Sequence, residues 1–396
     1  MWSVLYNSFV RKNSDIQYEY ERYVMEHMDE HYSHRLKQWK LLLDLNVHYR
    51  IKKHTERMIF KEITVEPQHF SVVDEIANGT LYPGLDVYNR IKSESDEKIF
   101  LCPYAGTGDV YMASMYLQNY VSDKGIKSYV LAVIGQGNIK VAKLFNISKI
   151  VSVSQIEADS LIRLTMFLGD SCNDIEVLHH DAPQVHFGIL ENFRNINGFH
   201  FTDLFVNAVF GHSPDVCSQK PSFSYDNDEI ESLFDKYKLK KGKTVVLSPY
   251  ANTLSLLPKW IWEDLTDDLI DKGYSVVTNC GCPGEIPVRG TIPVFFDYSI
   301  SVPFIEKCGY FVGIRSGLCD VISSARARKI IVYQPYVFWG EGTPYDYFSL
   351  NRIGFCSDAL ELEYEGVEFL DLVKQIENRI FADESAAKGF CDLLDA

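Results

Sequence analysis

Gly106, Thr107, Gly108 and Asp109 stand where an apolar run, IFLCPY, gives way to the helical pattern that starts at Val110. Glycines let backbone N–H groups come close to a ligand, and a helix start adds partial positive charge. A carboxylate in that first turn has two uses: Asp109 caps the helix, or it stands as a base at the edge of a ligand crevice. No third glycine follows, so this is not a dinucleotide fingerprint.

A second group lies in SPYANTLSLLPKW, where Ser248, Tyr250, Asn252 and Thr253 follow an apolar strand pattern and Lys259 precedes a helix. Hydroxyls, an amide and a lysine suit phosphate oxygens, although an ordinary polar loop has the same composition. A third is GIRSGLCD. Arg315, Ser316 and Gly317 sit at a strand end where a helix begins, a setting for an anion, and Asp320 in the first turn caps or orients. A fourth is aromatic: in VYQPYVFWGEGTPYDYFSL, Tyr336, Phe338, Trp339, Glu341 and Tyr345 either flank a base or a sugar or pack the loop itself. His179, His180 and Asp181 form a further polar cluster, but adjacent histidines point in two directions and do not suggest a shared metal. Cys280 and Cys282 form C-x-C with no second Cys/His pair at zinc spacing nearby, so they are expected to be reduced thiols, and no metal site is expected.

These groups need a scaffold that places strand ends beside helix starts. From about residue 98 short apolar strands alternate with helices: IFLCPY, SYVLAVIG and KIVSVS are each followed by a helical pattern. Continuous apolar strands in such alternation imply parallel sheets covered on both faces. A less regular stretch follows from about 171 to 243. The alternation then restarts at KTVVLSPYA and runs to KIIVYQP, with a closing helix in GVEFLDLVKQIENRIF. The expected fold class is α/β: two Rossmann-like, doubly wound domains in tandem, facing a cleft. Residues 1–60, with apolar residues at three-to-four spacing and neither Pro nor Gly in their helical stretch, are expected to form one or two amphipathic helices for packing or assembly, including a homo-oligomer. The domains are then a helical segment over 1–60, a first α/β domain over 61–240 and a second over 241–396.

Composition narrows the partners. A formal net charge of -15 argues against a general nucleic-acid binder and against attachment to anionic lipid by charge alone. The odd count of nine cysteines shows no disulfide framework and fits a reducing, cytoplasmic compartment. No signal peptide is read at the start, and no apolar run is long enough for a transmembrane segment.

The order of these motifs, a Gly-x-Gly-Asp loop early, SPYANTLSLLPKWIWEDLTDDLIDKGYSVVTNCG in the middle and YFVGIRSGLCDVISSARARKIIVYQP late, resembles the GT-B glycosyltransferases. Within them it is most similar to the heptosyltransferase-like family of bacterial surface polysaccharide synthesis, over roughly residues 98–340. The family's late loop has a Gly-Pro-x-His run where this chain has RSGLCD, which leaves the donor's identity open. The resemblance implies an inverting, metal-independent transfer of a sugar from a nucleotide-sugar donor to a saccharide or glycoconjugate hydroxyl, with no cofactor, in the cytoplasm or at the inner face of the membrane. It implies Asp109 as base beside an acceptor-side loop of Gly106, Thr107 and Gly108. It places the donor against Lys259, Ser316 and Gly317, with Ser248, Tyr250, Asn252, Arg315, Asp320 and Glu341 as further donor-side candidates. A nucleotide-sugar epimerase of the same shape and a non-catalytic scaffold with this fold are the competing classes.

Overall fold

The computed structural model describes residues 48–54, 57–64, 82–168, 173–179, 200–212, 215–251, 256–282, 284–334, 343–364 and 371–381. The chain divides into two compact units, Met1–Lys220 and Pro221–Ala396. The division falls some way before the expected boundary at 240. The reason is the helix Asn227–Tyr237, whose Ile230 and Phe234 pack into the second unit's core.

Among the described residues the first unit begins with an antiparallel hairpin, β1 (His48–His54) and β2 (Arg57–Thr64). The helical expectation for 1–60 therefore fails over 48–54 and 57–60, and residues 1–47, 55 and 56 lie outside the described residues. Tyr49, Ile51, Ile59 and Phe60 are of the aromatic and β-branched types that favour strands, and only two residues separate the paired ends His54 and Arg57.

The unit's main sheet is parallel. Helix α1 (Tyr82–Glu94) leads into β3 (Lys98–Cys102), α2 (Thr107–Asp123), β4 (Tyr129–Ile134), α3 (Gly135–Lys143), β5 (Ile150–Val153), α4 (Gln155–Leu168) and β6 (Ile175–Val177). The strand order is β5-β4-β3-β6. Ile99 to Cys102 are wholly buried, as befits a central strand covered on both faces. After β6 a single helical turn, Phe201–Asp203, runs into a π-helical turn, Leu204–Val209.

The second unit begins with α5 (Asn227–Tyr237) and continues through β7 (Thr244–Ser248), α6 (Lys259–Asp271), β8 (Ser275–Asn279), β9 (Ile292–Val294), α7 (Tyr298–Cys308), β10 (Gly309–Ile314), α8 (Gly317–Val321), β11 (Arg328–Tyr333), α9 (Pro344–Phe348) and β12 (Leu360–Glu363). Residues 371–381 form a last helix, α10. All six strands are parallel in the order β12-β11-β10-β7-β8-β9. Numbered within the unit this is the doubly wound order in which the chain starts centrally, runs to one edge and then crosses to the other half. Alternation along the strands sends Val246, Phe311 and Ile331 to one apolar layer with α5 and α7. Val245, Leu247, Ile330 and Val332 go to another with α6 and α10. The α/β class and the parallel sheets expected from the alternation are thus present in each unit.

Candidate active site

In a doubly wound sheet the ligand crevice lies at the carboxyl ends of the two strands where the winding reverses. Each unit has one such point. In the first it lies between β3 and β6, and in the second between β7 and β10.

At the first point the loop after β3 carries Tyr104 and Gly106, Thr107 and Gly108 open α2, and the chain leaving β6 carries His179. Tyr104 and His179 stack, with ring centroids 4.5 Å apart and an interplanar angle of 24°. Burial holds the His179 imidazole well below its ordinary pKa, at about 4, so it is neutral near pH 7. Asp109 occupies the third position of α2, whose N-cap is Gly106. Its carboxylate lies back over that glycine, since a Cβ added to Gly106 would sit 2.5 Å from Asp109 Oδ2. That close approach explains the glycine. The negative charge is felt at the strand end, where burial first and Asp109 second raise the Cys102 thiol above its usual range.

Sequence reasoning passed over two residues of this unit. Asn138, in the GQGNIK run that opens α3, is buried and donates from Nδ2 to the Tyr104 carbonyl and to the Ile134 carbonyl, each at 2.9 Å. It thereby ties the Tyr104 loop to the end of β4. Its signal was the two glycines around a helix start directly after an apolar strand. Asp203 is the other. Burial raises its carboxyl pKa, against the pull of the His200 N–H that donates to Oδ2 at 2.8 Å. It sits where the helix widens to π geometry, which no spacing rule announces.

At the second point the strand ends that lead into the two loops lie side by side. Ser248, the buried last residue of β7, is paired in register with Gly313 of β10. A Cβ at Gly313 would approach Ser248 Cβ to 3.1 Å and the Phe311 ring to 2.9 Å, so the close approach of the two strand ends rests on that glycine. Tyr250 donates from its hydroxyl to the Ile286 carbonyl, joining the loop after β7 to the one after β8. Lys259 opens α6, 73% exposed, with Nζ 3.2 Å from Glu263. An exposed pair of this kind is weak and leaves the ammonium free to reorient.

Arg315 follows β10 directly and is buried. Its guanidinium is buried and committed within the protein. Nη2 donates to Asp320 Oδ1 at 2.6 Å, and Nη1 donates to Asp320 Oδ2 at 3.1 Å and to the Ser316 carbonyl at 2.6 Å. Nε donates to the Phe348 carbonyl at 2.9 Å. Burial disfavours the charged guanidinium, but Asp320, with Tyr333 and Cys319, holds its pKa above the ordinary value. Asp320 is 1% exposed and answers this cation; it is not an exposed cap. The helix behind the loop is also short, with only the five residues Gly317–Val321, so it has little dipole to offer an anion. The pair therefore shapes the loop that presents Ser316 and Gly317. The receiving turn is fixed in its own right, since Glu361 accepts from Tyr333 Oη at 2.5 Å, Ser349 Oγ at 2.6 Å and Leu350 N at 2.6 Å.

Tyr345 packs edge-on against Tyr333, with centroids 5.3 Å apart, beneath the Arg352 guanidinium. Asn252, Thr253, Tyr336, Phe338, Trp339, Glu341, His180 and Asp181 lie outside the described residues. Among the described residues, no group of three His, Cys, Asp or Glu side chains is arranged to hold a metal ion. Burial, with Glu285 beside them, raises the Cys280 and Cys282 thiols above their ordinary range. Among the described residues, no helix is long and apolar enough to cross a membrane.

No family model and no curated protein matches the chain. Among solved structures it is similar to the ADP-heptose lps heptosyltransferase II of E. coli, at 12% identity and a TM-score of 0.47, over 73% of this chain and 100% of that one. It is similar to the family 9 glycosyl transferase of Veillonella parvula, at 14% identity and a TM-score of 0.43, over 71% of this chain and 89% of that one. It is also similar to the E. coli heptosyltransferase WaaC, at 13% identity and a TM-score of 0.42, over 72% of this chain and 99% of that one.

Proposed function

We propose that the chain is a glycosyltransferase that moves a sugar from a nucleotide-sugar donor to a hydroxyl of a saccharide or glycoconjugate. The observation that carries this reading is the placement of its motifs. The Gly-x-Gly-Asp loop lies at the switch point of the first unit, and the Ser248–Tyr250 and Ser316–Gly317 loops flank that of the second. This is the order of motifs in which the sequence resembles the GT-B enzymes.

In this reading the first unit takes the acceptor and the second the donor. The acceptor hydroxyl attacks the anomeric carbon, the bond from that carbon to the diphosphate oxygen breaks, and the nucleoside diphosphate leaves with inversion. Asp109 takes the hydroxyl proton, turning out from its place over Gly106 to do so. Lys259, Ser248, Tyr250, Asn252, Glu341 and the backbone at Ser316 and Gly317 hold the donor. Arg315 and Asp320 position that last loop without touching the ligand. The leaving charge is met by Lys259 and by backbone and hydroxyl donors, and the step as written uses neither a metal nor a cofactor. The protein then works in the cytoplasm or at the inner face of the membrane, and assembly through residues 1–47 remains part of the proposal.

Release of nucleoside diphosphate from a panel of nucleotide sugars, with and without saccharide acceptors, tests the reading. Asp109→Asn keeps the size and much of the capping ability of the acid. It is expected to lower acceptor-dependent release by about 10²–10⁴-fold, the usual share of a general base, and to leave donor binding in place. An epimerase would convert the sugar and release no diphosphate, and a scaffold would do neither.

A further inference from the structure

Gln334 follows β11 directly and is 4% exposed. Neither its Nε2 nor its Oε1 has a hydrogen-bond partner. Buried polar groups in native proteins are nearly always paired, because an unmet one is a standing cost to stability. Among the described residues no other buried side-chain amide has both ends unmet: Asn89 and Asn138 each lack a partner only at Oδ1.

Its position gives this residue a use. Ile314 pairs with Val332 across β10 and β11. Carried two residues on, that register sets Gln334 beside Ser316, in the loop that flanks the second switch point. Ile330 and Val332 point into the layer shared with α6, and Ala251, from the loop after β7, packs against the same layer. Gln334 continues that alternation. The amide thus stands at the carboxyl end of the sheet, directly after the strand that neighbours β10, whose end leads into the Ser316 loop.

Its chemistry narrows the ligand. An amide presents a donor and an acceptor side by side. A phosphate only accepts, so it would satisfy Nε2 and leave Oε1 unmet. A nucleobase edge, a ribose or a sugar hydroxyl pair offers both. The rotatable bonds of glutamine let the amide swing to such a partner from its buried position.

We propose that Gln334 is a specificity-determining contact that reads a paired donor–acceptor edge of the nucleotide sugar, in its nucleoside or in its sugar. This rests on the reading that the second unit takes the donor. The test uses the full chain and Gln334→Met, which keeps the length of the side chain and removes both polar ends. Binding of ADP, GDP, UDP and CDP, and of their glucose esters, is measured by calorimetry alongside thermal unfolding. The expected result is an unchanged or higher melting temperature with affinity lower by about 10- to 100-fold, the range for one or two buried hydrogen bonds. Loss on both the diphosphate and its ester assigns the amide to the nucleoside, and loss on the ester alone assigns it to the sugar. Unchanged affinity overturns the proposal and leaves the donor reading standing. A lower melting temperature shows that the amide serves the free protein's own structure, and also overturns it. If the native chain binds none of these probes, the donor reading itself falls and takes the proposal with it.

Discussion

The Arg315–Asp320 pair shows how far a residue's type can mislead about its role. An arginine at a strand end beside a helix start reads as an anion receptor, and the same features describe a buried structural pair. What distinguishes them is a partner five residues on and a carbonyl thirty-three residues on, at Phe348. The first is visible in the sequence, where Asp320 caps or orients; the second is set by the fold. The prediction follows from burial. Arg315→Ala leaves the Asp320 carboxylate uncompensated in the interior, so it is expected to cost about 3–5 kcal/mol of stability, the range for breaking one side of a buried pair. Urea unfolding of the variant measures it. Replacing both residues together, Arg315→Met with Asp320→Leu, is expected to recover most of that loss, because the penalty lies in the stranded charge. A single variant as stable as the native chain would contradict the buried pair.

At the scale of elements, the strands and helices after residue 98 were legible because each strand is a continuous apolar run and each break carries glycine or polar residues. Both switch points inherit this: once the strands are placed, the loops that follow β3, β7 and β10 must lie at one end of their sheets. The hairpin over 48–64 was not legible, because its alternation is irregular, with a bulge between Arg50 and Ile51, and sits next to a strong helical pattern. The Asn138 clamp was hidden for a related reason, since it depends on the Tyr104 carbonyl, 34 residues away in the chain. The last helix, α10, was expected, but its contact with α6 was not. Glu377 on α10 meets Asp268 on α6. Burial, then hydrogen bonding to and repulsion by Asp268, raise its pKa to about 7, against the pull of Lys272 and Lys374. A carboxyl whose folded pKa exceeds its unfolded value of ~4.3 stabilises the fold fully below that value. The contribution fades as pH rises above that value and is lost above about 7. The loss is expected to be about 1–2 kcal/mol, allowing for the partial exposure of the pair. Amide exchange over 371–381 should therefore quicken as pH rises from ~4.3 to about 7, beyond its intrinsic base catalysis. Glu377→Gln should remove that excess, and an excess that persists in the variant would place its origin elsewhere.

On the scale of the whole molecule, the chain builds two parallel sheets with separate cores, and the division between them falls at Lys220 and Pro221. The second unit holds six strands and two apolar layers within 221–396, with α5 and α10 closing the two faces. A unit of that size with its own core is large enough to fold alone. Its switch point, with Ser248, Ser316, Gly317 and Gln334, belongs wholly to that unit. If donor recognition lives there, it should survive removal of everything before Pro221. Residues 221–396 produced alone are expected to unfold cooperatively in urea and to bind the nucleoside diphosphate that the full chain binds, within about tenfold in affinity, or ~1.4 kcal/mol. The transfer reaction should be lost altogether, because Asp109 and the proposed acceptor side at Gly106, Thr107 and Gly108 lie in the other unit. Cooperative folding without binding would move donor recognition onto residues of the first unit. A piece that fails to fold would show that the two cores depend on one another for stability, and the acceptor and donor halves could not then be assigned by cutting the chain.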